Sequence, residues 1–360
     1  MFFPKQTLGT GAVIDPRDDR DFLYADVFGA GEILSDLEWK AGFDSYNELG
    51  LSRIVQDQNG SSSCTGQATK AYMRRVLYKT VGLNPELSAA FIYSPVRLSS
   101  GGAYIRDVAL RAADFGNVTE AKLPSYENGK PPSENYFVDV KLNDDVLTSA
   151  KNFDIFNARV IPGSTGNINL YAVAIKNHMG VIAGFTGDYD GWTRPCVRTP
   201  KSTNTWGHCV DLCAFGELEY AMGEFKAGTR CVFTMNSWGG RYTIQTGRWA
   251  GYQAIPESYF TASQPTAVGT VDGIYVFPSW VLVPDAELSP EVKYADFLKQ
   301  NQGKLVQDSE QSGAFGLILD NKLITATPDR LPELLSTYLV RKEGMGIPKQ
   351  IWNELPKKPI

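Results

Sequence analysis

The chain has 360 residues, 43% hydrophobic, 21% charged and 12% aromatic, with a net charge of −5 at pH 7. This is globular composition, enough for two domains or for one of about 240 residues with appendages, and it excludes long disordered tracts. The acidic balance, with no Lys/Arg run, removes nucleic acid from the expected partners. No stretch reaches the roughly 18 apolar residues of a membrane span, so no membrane partner is expected either.

Residues 1–6 lack the basic start, apolar run and small-residue site of a secretory signal. The expectation is a cytoplasmic protein, or part of a viral particle assembled in the cytoplasm. The five cysteines, Cys64, Cys196, Cys209, Cys213 and Cys231, are an odd number in a long chain and do not suggest a disulfide framework.

Residues 1–45, with Gly9, Gly11, Asp15, Pro16 and Asp18, read as an irregular arm. The body, 46–285, opens with a helix from Ser63-Cys64 to about Thr80. Ala68, Tyr72 and Val76 recur there every four residues, and Gly82 and Pro85 end it. Helices are expected at 104–115 and 168–177, then strands at 181–185, 208–215, 231–236 and 273–281. Helices first and strands second predict an α+β fold of two packed subdomains with a cleft between them. Residues 286–360 read as a separate appendage, a helix at 289–301, a hairpin of 315–319 and 322–325 about Asp320-Asn321, and a helix at 327–339.

A cysteine attacks carbonyls as a thiolate, which a helix amino terminus and a nearby imidazolium stabilise. Cys64 stands at such a terminus. Only two histidines are present, His178 and His208. His178 ends a helical stretch, where a solvated or capping role is expected. His208 opens an apolar strand and shares a face with Val210, Leu212 and Ala214 by alternation. A lone histidine on such a strand is as readily structural as catalytic. Cys209 and Cys213 lie on that strand about 13 Å apart, too far to chelate one ion, and read as buried thiols. No metal is expected.

Gln58-Asn59-Gly60-Ser61-Ser62-Ser63-Cys64 resembles the nucleophile segment of the papain-like cysteine peptidases, with Gln58 six residues before the cysteine. Gly207-His208-Cys209-Val210 is similar to the histidine strand of that family, and Asn236-Ser237-Trp238-Gly239 to its asparagine motif. Gly101-Gly102-Ala103 resembles its double-glycine segment. The likeness spans about 50–285. It implies a papain-like fold, a helical half followed by an antiparallel, barrel-like half. It also implies a thioester mechanism with Cys64 as nucleophile, His208 as base, Asn236 orienting the base and Gln58 in the oxyanion hole. Gly101, Gly102 and Trp238 would be substrate-binding, with the glycines along the substrate and Trp238 either shielding the His–Asn bond or simply packing in the core.

No cofactor is required by that chemistry, and the implied partner is a polypeptide substrate. Ser61 stands where many secreted relatives have a disulfide cysteine. The stretch between His208 and Asn236 is longer than usual and implies an extended hairpin over 217–229. Residues 1–45 and 286–360 suit docking to a larger assembly. Two other readings stay open at this point, a structural or virion-associated protein carrying an active or vestigial papain-like domain, and a cell-wall amidase or acyl-transfer enzyme using the same triad.

Overall fold

A computed structural model describes residues 10–15, 23–25, 33–126, 133–154, 156–162, 167–201, 205–261 and 276–284, together with five backbone strands beyond residue 304. The chain divides into two compact units at residue 285/286.

The first unit is organised on the long helix α2 (Cys64–Val81), which follows β1 (Ala12–Val13), α1 (Asp36–Ala41) and β2 (Phe43–Asp44). After α2 come α3 (Ala89–Tyr93), β3 (Ala103–Tyr104), α4 (Ile105–Phe115), α5 (Glu134–Asp139), β4 (Phe156–Ile161) and α6 (Ile168–His178). The strands β5 (Val181–Gly187), β6 (Trp206–Glu217), β7 (Arg230–Thr234), β8 (Gln253–Pro256) and β9 (Ser279–Pro284) complete it. Helices thus dominate the first half and strands the second.

Helix α2 is buried continuously from Cys64 to Leu77 and ends at Gly82 in the left-handed conformation. Its apolar side chains Ala68, Tyr72, Met73, Val76 and Leu77 pack with Phe91, Ile105, Val108, Leu282 and Trp280 in one core. Such depth forces its charges to find partners. The Arg75 guanidinium grips Asp211 of β6 in a two-pronged pair at 2.5 and 2.6 Å, and Lys70 lies 3.8 Å from Glu120. A second core gathers Tyr46, Phe233, Trp249 and Tyr252, with Phe233 and Trp249 stacked at 4.0 Å.

Seven strands form one antiparallel sheet in the order β4-β9-β5-β6-β7-β8, with β2 added against β6. The sheet is open, because β4 and β8 do not pair with each other among the described residues. β6 and β7 continue into the expected long hairpin, where Leu218 N–H bonds Thr229 and Met222 pairs with Phe225.

Several expectations need correction. The arm is not wholly irregular. β1 pairs in parallel with β3, and α1 carries a reciprocal Ser35/Glu38 cap that docks buried Trp39 against Phe215. The strand expected at 273–281 lies at Ser279–Pro284. Ala214 does not share the face of His208. A bulge at Cys213 pairs Leu212 with Thr234 but Ala214 with Phe233, so the alternation inverts there. His178 is buried, edge-on to Tyr24 at 5.5 Å, rather than solvated.

In the second unit, β11 (Phe315–Leu319) and β12 (Lys322–Ala326) form the expected hairpin, with Leu319 opposite Lys322. β10 (Leu305–Asp308), β13 (Gly344–Ile347) and β14 (Lys357–Pro359) extend it to five strands in the order β13-β10-β11-β12-β14, and so the unit is richer in strand than expected. The helices expected at 289–301 and 327–339 lie outside the described residues.

Candidate active site

Cys64 is the first residue of α2 and is 0% exposed. The backbone N–H groups of Cys209, Thr65, Ala12 and Gly11 lie near its sulfur and lower its pKa. Those dipoles favour the thiolate, but burial outweighs them and pushes the thiol up to about 11. Cys209 follows His208 on β6, so the histidine strand borders the thiol.

His208, also 0% exposed, sits opposite Phe185 of β5. Burial pulls its imidazole down to about 4, partly offset by its bond to Asn236. Burial therefore favours the neutral form of both the thiol and the imidazole.

A chain of amides sets the tautomer of that imidazole. Gln253 Nε2 donates to the carbonyls of Trp192 and Arg194 at 2.7 and 2.8 Å, so its Oε1 faces Asn236 and accepts from Nδ2 at 2.8 Å. Asn236 Oδ1 must then face His208 Nε2, 2.8 Å away, and that nitrogen carries the proton. Nδ1 keeps its lone pair and has no hydrogen-bond partner among the described residues. A base with a free lone pair and an orienting amide behind it can take a thiol proton. Trp238 stacks on the imidazole at 4.4 Å and is itself buried, with Trp192 and Trp206 edge-on to the histidine. Aromatic faces on that side exclude water from the His–Asn bond.

Gln58 is stitched to the asparagine segment. Its N–H donates to Ser237 O at 2.9 Å, and its side-chain Oε1 accepts the Ser237 hydroxyl. Its Nε2 donates one hydrogen to Ser61 O at 2.8 Å, leaving the other for a ligand. Asp57 and Trp238 form a bridge beside it. Gln58, Cys64, His208, Asn236 and Trp238 thus converge from three separate parts of the chain.

Gly102 is buried against β1, and half-buried Gly101 sits beside Ser62 and Glu134. Gly11 N–H donates to Gly207 O at 3.0 Å, and Gly11 O accepts from Ala103 N at 2.9 Å. The approach is so close that a Cβ on Gly102 would stand 2.1 Å from Gly11 O, and one on Gly207 2.0 Å from Ala12 O. Only glycine fits at both walls. Beyond the thiol, Asp15 accepts from Arg106 N–H at 3.0 and 3.1 Å and from Trp280 Nε1 at 3.2 Å. The strand therefore crosses the thiol wedged between the double-glycine segment and the histidine strand. Its Ala12 N–H lies near the sulfur, while Gly11 is held by Gly207 through its N–H and by Ala103 through its carbonyl. A pocket of about 440 Å³ is lined by Arg194, Cys196, Tyr220 and Glu224, and by none of Gln58, Cys64, His208, Asn236 and Trp238.

Gln253 and the β1 strand escaped the sequence reading. An amide inside the apolar run Tyr252–Ile255 was the available signal for the first; the glycines Gly9 and Gly11 were a weak one for the second.

No protein-family model matches the sequence, and no curated protein is similar to it in a sequence comparison. Solved structures are similar. Xylellain, a cysteine protease from Xylella fastidiosa, superimposes with a TM-score of 0.56 at 20% identity, covering 79% of this chain and 99% of that one. The chain has a papain-like fold. Digestive procathepsin L 3 of Tenebrio molitor (TM-score 0.47, 16% identity, 76% of each chain) and procathepsin B from Trypanosoma congolense (0.48, 13%, 76% of this chain and 86% of that one) are more distant. The papain-like fold agrees with the helix-then-strand order and with the open antiparallel sheet.

Proposed function

We propose that the protein is a cysteine-type peptidase that acts on polypeptides through a thioester, with Cys64 as nucleophile and His208 as base. The observation that carries this reading is the directed amide chain from Gln253 through Asn236 to His208. It leaves Nδ1 as a proton acceptor on the strand that borders the only cysteine at the start of a long helix. In the reaction, the Cys64 thiolate attacks an amide carbonyl, and the proton taken by His208 passes to the leaving amine. The second Gln58 amide hydrogen and the Cys64 N–H would stabilise the oxyanion; loss of one such donor typically costs about 10²–10³ in rate.

As the chain stands, residues 11–13 fill the place a substrate would take, and the buried thiol is protonated. The site is thus latent, and opening it restores water and lowers the thiol pKa. A peptidyl epoxide tests the assignment. It should label the opened full-length chain at one site, and labelling should vanish in Cys64→Ala. Labelling that persists in Cys64→Ala refutes it.

A further inference from the structure

We propose that Glu134 and Tyr93 are positioning residues that tie the nucleophile turn to the glycine edge of the cleft, and thereby set how an extended substrate backbone is held. The proposal rests on reading Cys64 as the nucleophile. Glu134 opens α5. One carboxylate oxygen accepts the Ser62 N–H at 2.7 Å, and the other accepts Tyr93 O–H at 2.8 Å and Arg97 Nε at 2.7 Å. The Tyr93 oxygen in turn accepts the Gly102 N–H at 2.8 Å.

The result is one strap from Ser62, two residues before the thiol, to Gly102, one before the Ala103 N–H that already holds the Gly11 carbonyl. Burial and the Glu134 charge raise the Tyr93 phenol well above its ordinary value, so it stays protonated and can donate to the carboxylate. Its ring is buried and held edge-on at 5.1 Å by Phe137, from the same short helix as Glu134. Hydrogen bonds to a charged group are about twice as strong as neutral ones, and every bond of the Glu134 carboxylate is of that kind. The strap joins three stretches distant in sequence, Ser62, residues 93–102 and Glu134. The loss of one bond would let the Ala103 edge drift relative to Cys64, so an extended substrate paired to that edge would bind less well while the chemistry at Cys64 is unchanged.

The test uses full-length chains carrying Gly11→Val to open the cleft, alone and combined with Tyr93→Phe, Glu134→Gln or Glu134→Ala. Peptide hydrolysis, iodoacetamide alkylation of Cys64 and amide exchange at residues 58–64 and 98–104 are measured. Tyr93→Phe keeps the ring and removes the strap. It should raise KM about tenfold while kcat and the alkylation rate stay within about twofold, and both segments should exchange faster. Glu134→Ala should match it, and Glu134→Gln, which keeps one acceptor oxygen, should fall between. An unchanged KM, or faster exchange in only one segment, overturns the proposal. If the parent hydrolyses no peptide, the peptidase reading fails instead, and exchange at the two segments still decides the strap.

Discussion

Gln253 Oε1 accepts a hydrogen bond from Asn236 Nδ2 at 2.8 Å, and that contact decides which nitrogen of His208 bears the proton. Gln253→Leu removes the acceptor and leaves the Asn236 amide and two backbone carbonyls without their partner. The Asn236 amide is then free to flip and present an N–H to the imidazole. We expect kcat to fall by about tenfold or more with KM little changed, and stability to fall by about 1–3 kcal/mol for the unsatisfied groups. Steady-state kinetics and chemical denaturation check this; a kcat equal to the parent would remove the amide chain from the mechanism.

The covered and opened sites should differ in their pH response. With the thiol near 11 and the imidazole near 4, iodoacetamide should alkylate the intact chain at a rate that climbs with pH well into the alkaline range. In Gly11→Val, water returns to the pair. The thiolate should form at lower pH, so the rate should level off earlier. Identical profiles for the two chains would show that burial by β1 does not set these values.

Asp15 offers a separate control on the strand. Burial, aided by the Asp107 charge, raises its carboxyl to about 6 against the Arg106 N–H, the Trp280 indole and the Arg106 charge. A raised carboxyl favours the docked strand fully below about 4, its undocked value, and that contribution is lost as pH rises through about 6. Asp15→Asn lacks the titration. The ratio of alkylation rates, parent over Asp15→Asn, should therefore rise between about pH 4 and 6 and hold to pH 8, the thiol's own response cancelling. A ratio flat across that range would exclude Asp15 as a pH-sensitive anchor.

Much of this site was legible because its chemistry is local in sequence. Gln58 and Cys64 share one turn, Asn236-Ser237-Trp238-Gly239 is contiguous, and His208 has a single rival. Gln253 was not legible, since its role depends on carbonyls about sixty residues earlier. The same holds for Gly11 and Ala12, whose place is defined by Ser62, Gly102 and Gly207 from three other segments. Alternation failed at Ala214 because a bulge inserts Cys213 without any composition signal. In the second unit, strands of three or four residues such as Lys357–Pro359 carry too little alternation to be seen.

The Arg75–Asp211 pair couples α2 to β6 three residues beyond His208. Both groups are fully buried, so removing one leaves a charge without compensation. Asp211→Ala should cost about 3–5 kcal/mol in a denaturation experiment, with Asp211→Asn less severe. A loss below about 1 kcal/mol would mean that the guanidinium finds other partners.

The most direct test of the account is hydrolysis of an internally quenched peptide by the full-length chain, by Gly11→Val and by Gly11→Val combined with Cys64→Ala. A Cβ at Gly11 would stand 2.4 Å from Ser62 O, so a valine there forces β1 and the Ser62 turn apart while the side chains of Cys64, His208 and Asn236 are kept. Little turnover is expected in the intact chain, an increase of at least about tenfold in Gly11→Val, and none when Cys64 is removed. Turnover that survives the loss of Cys64, or a folded Gly11→Val that labels at Cys64 but cleaves no peptide, would contradict the account.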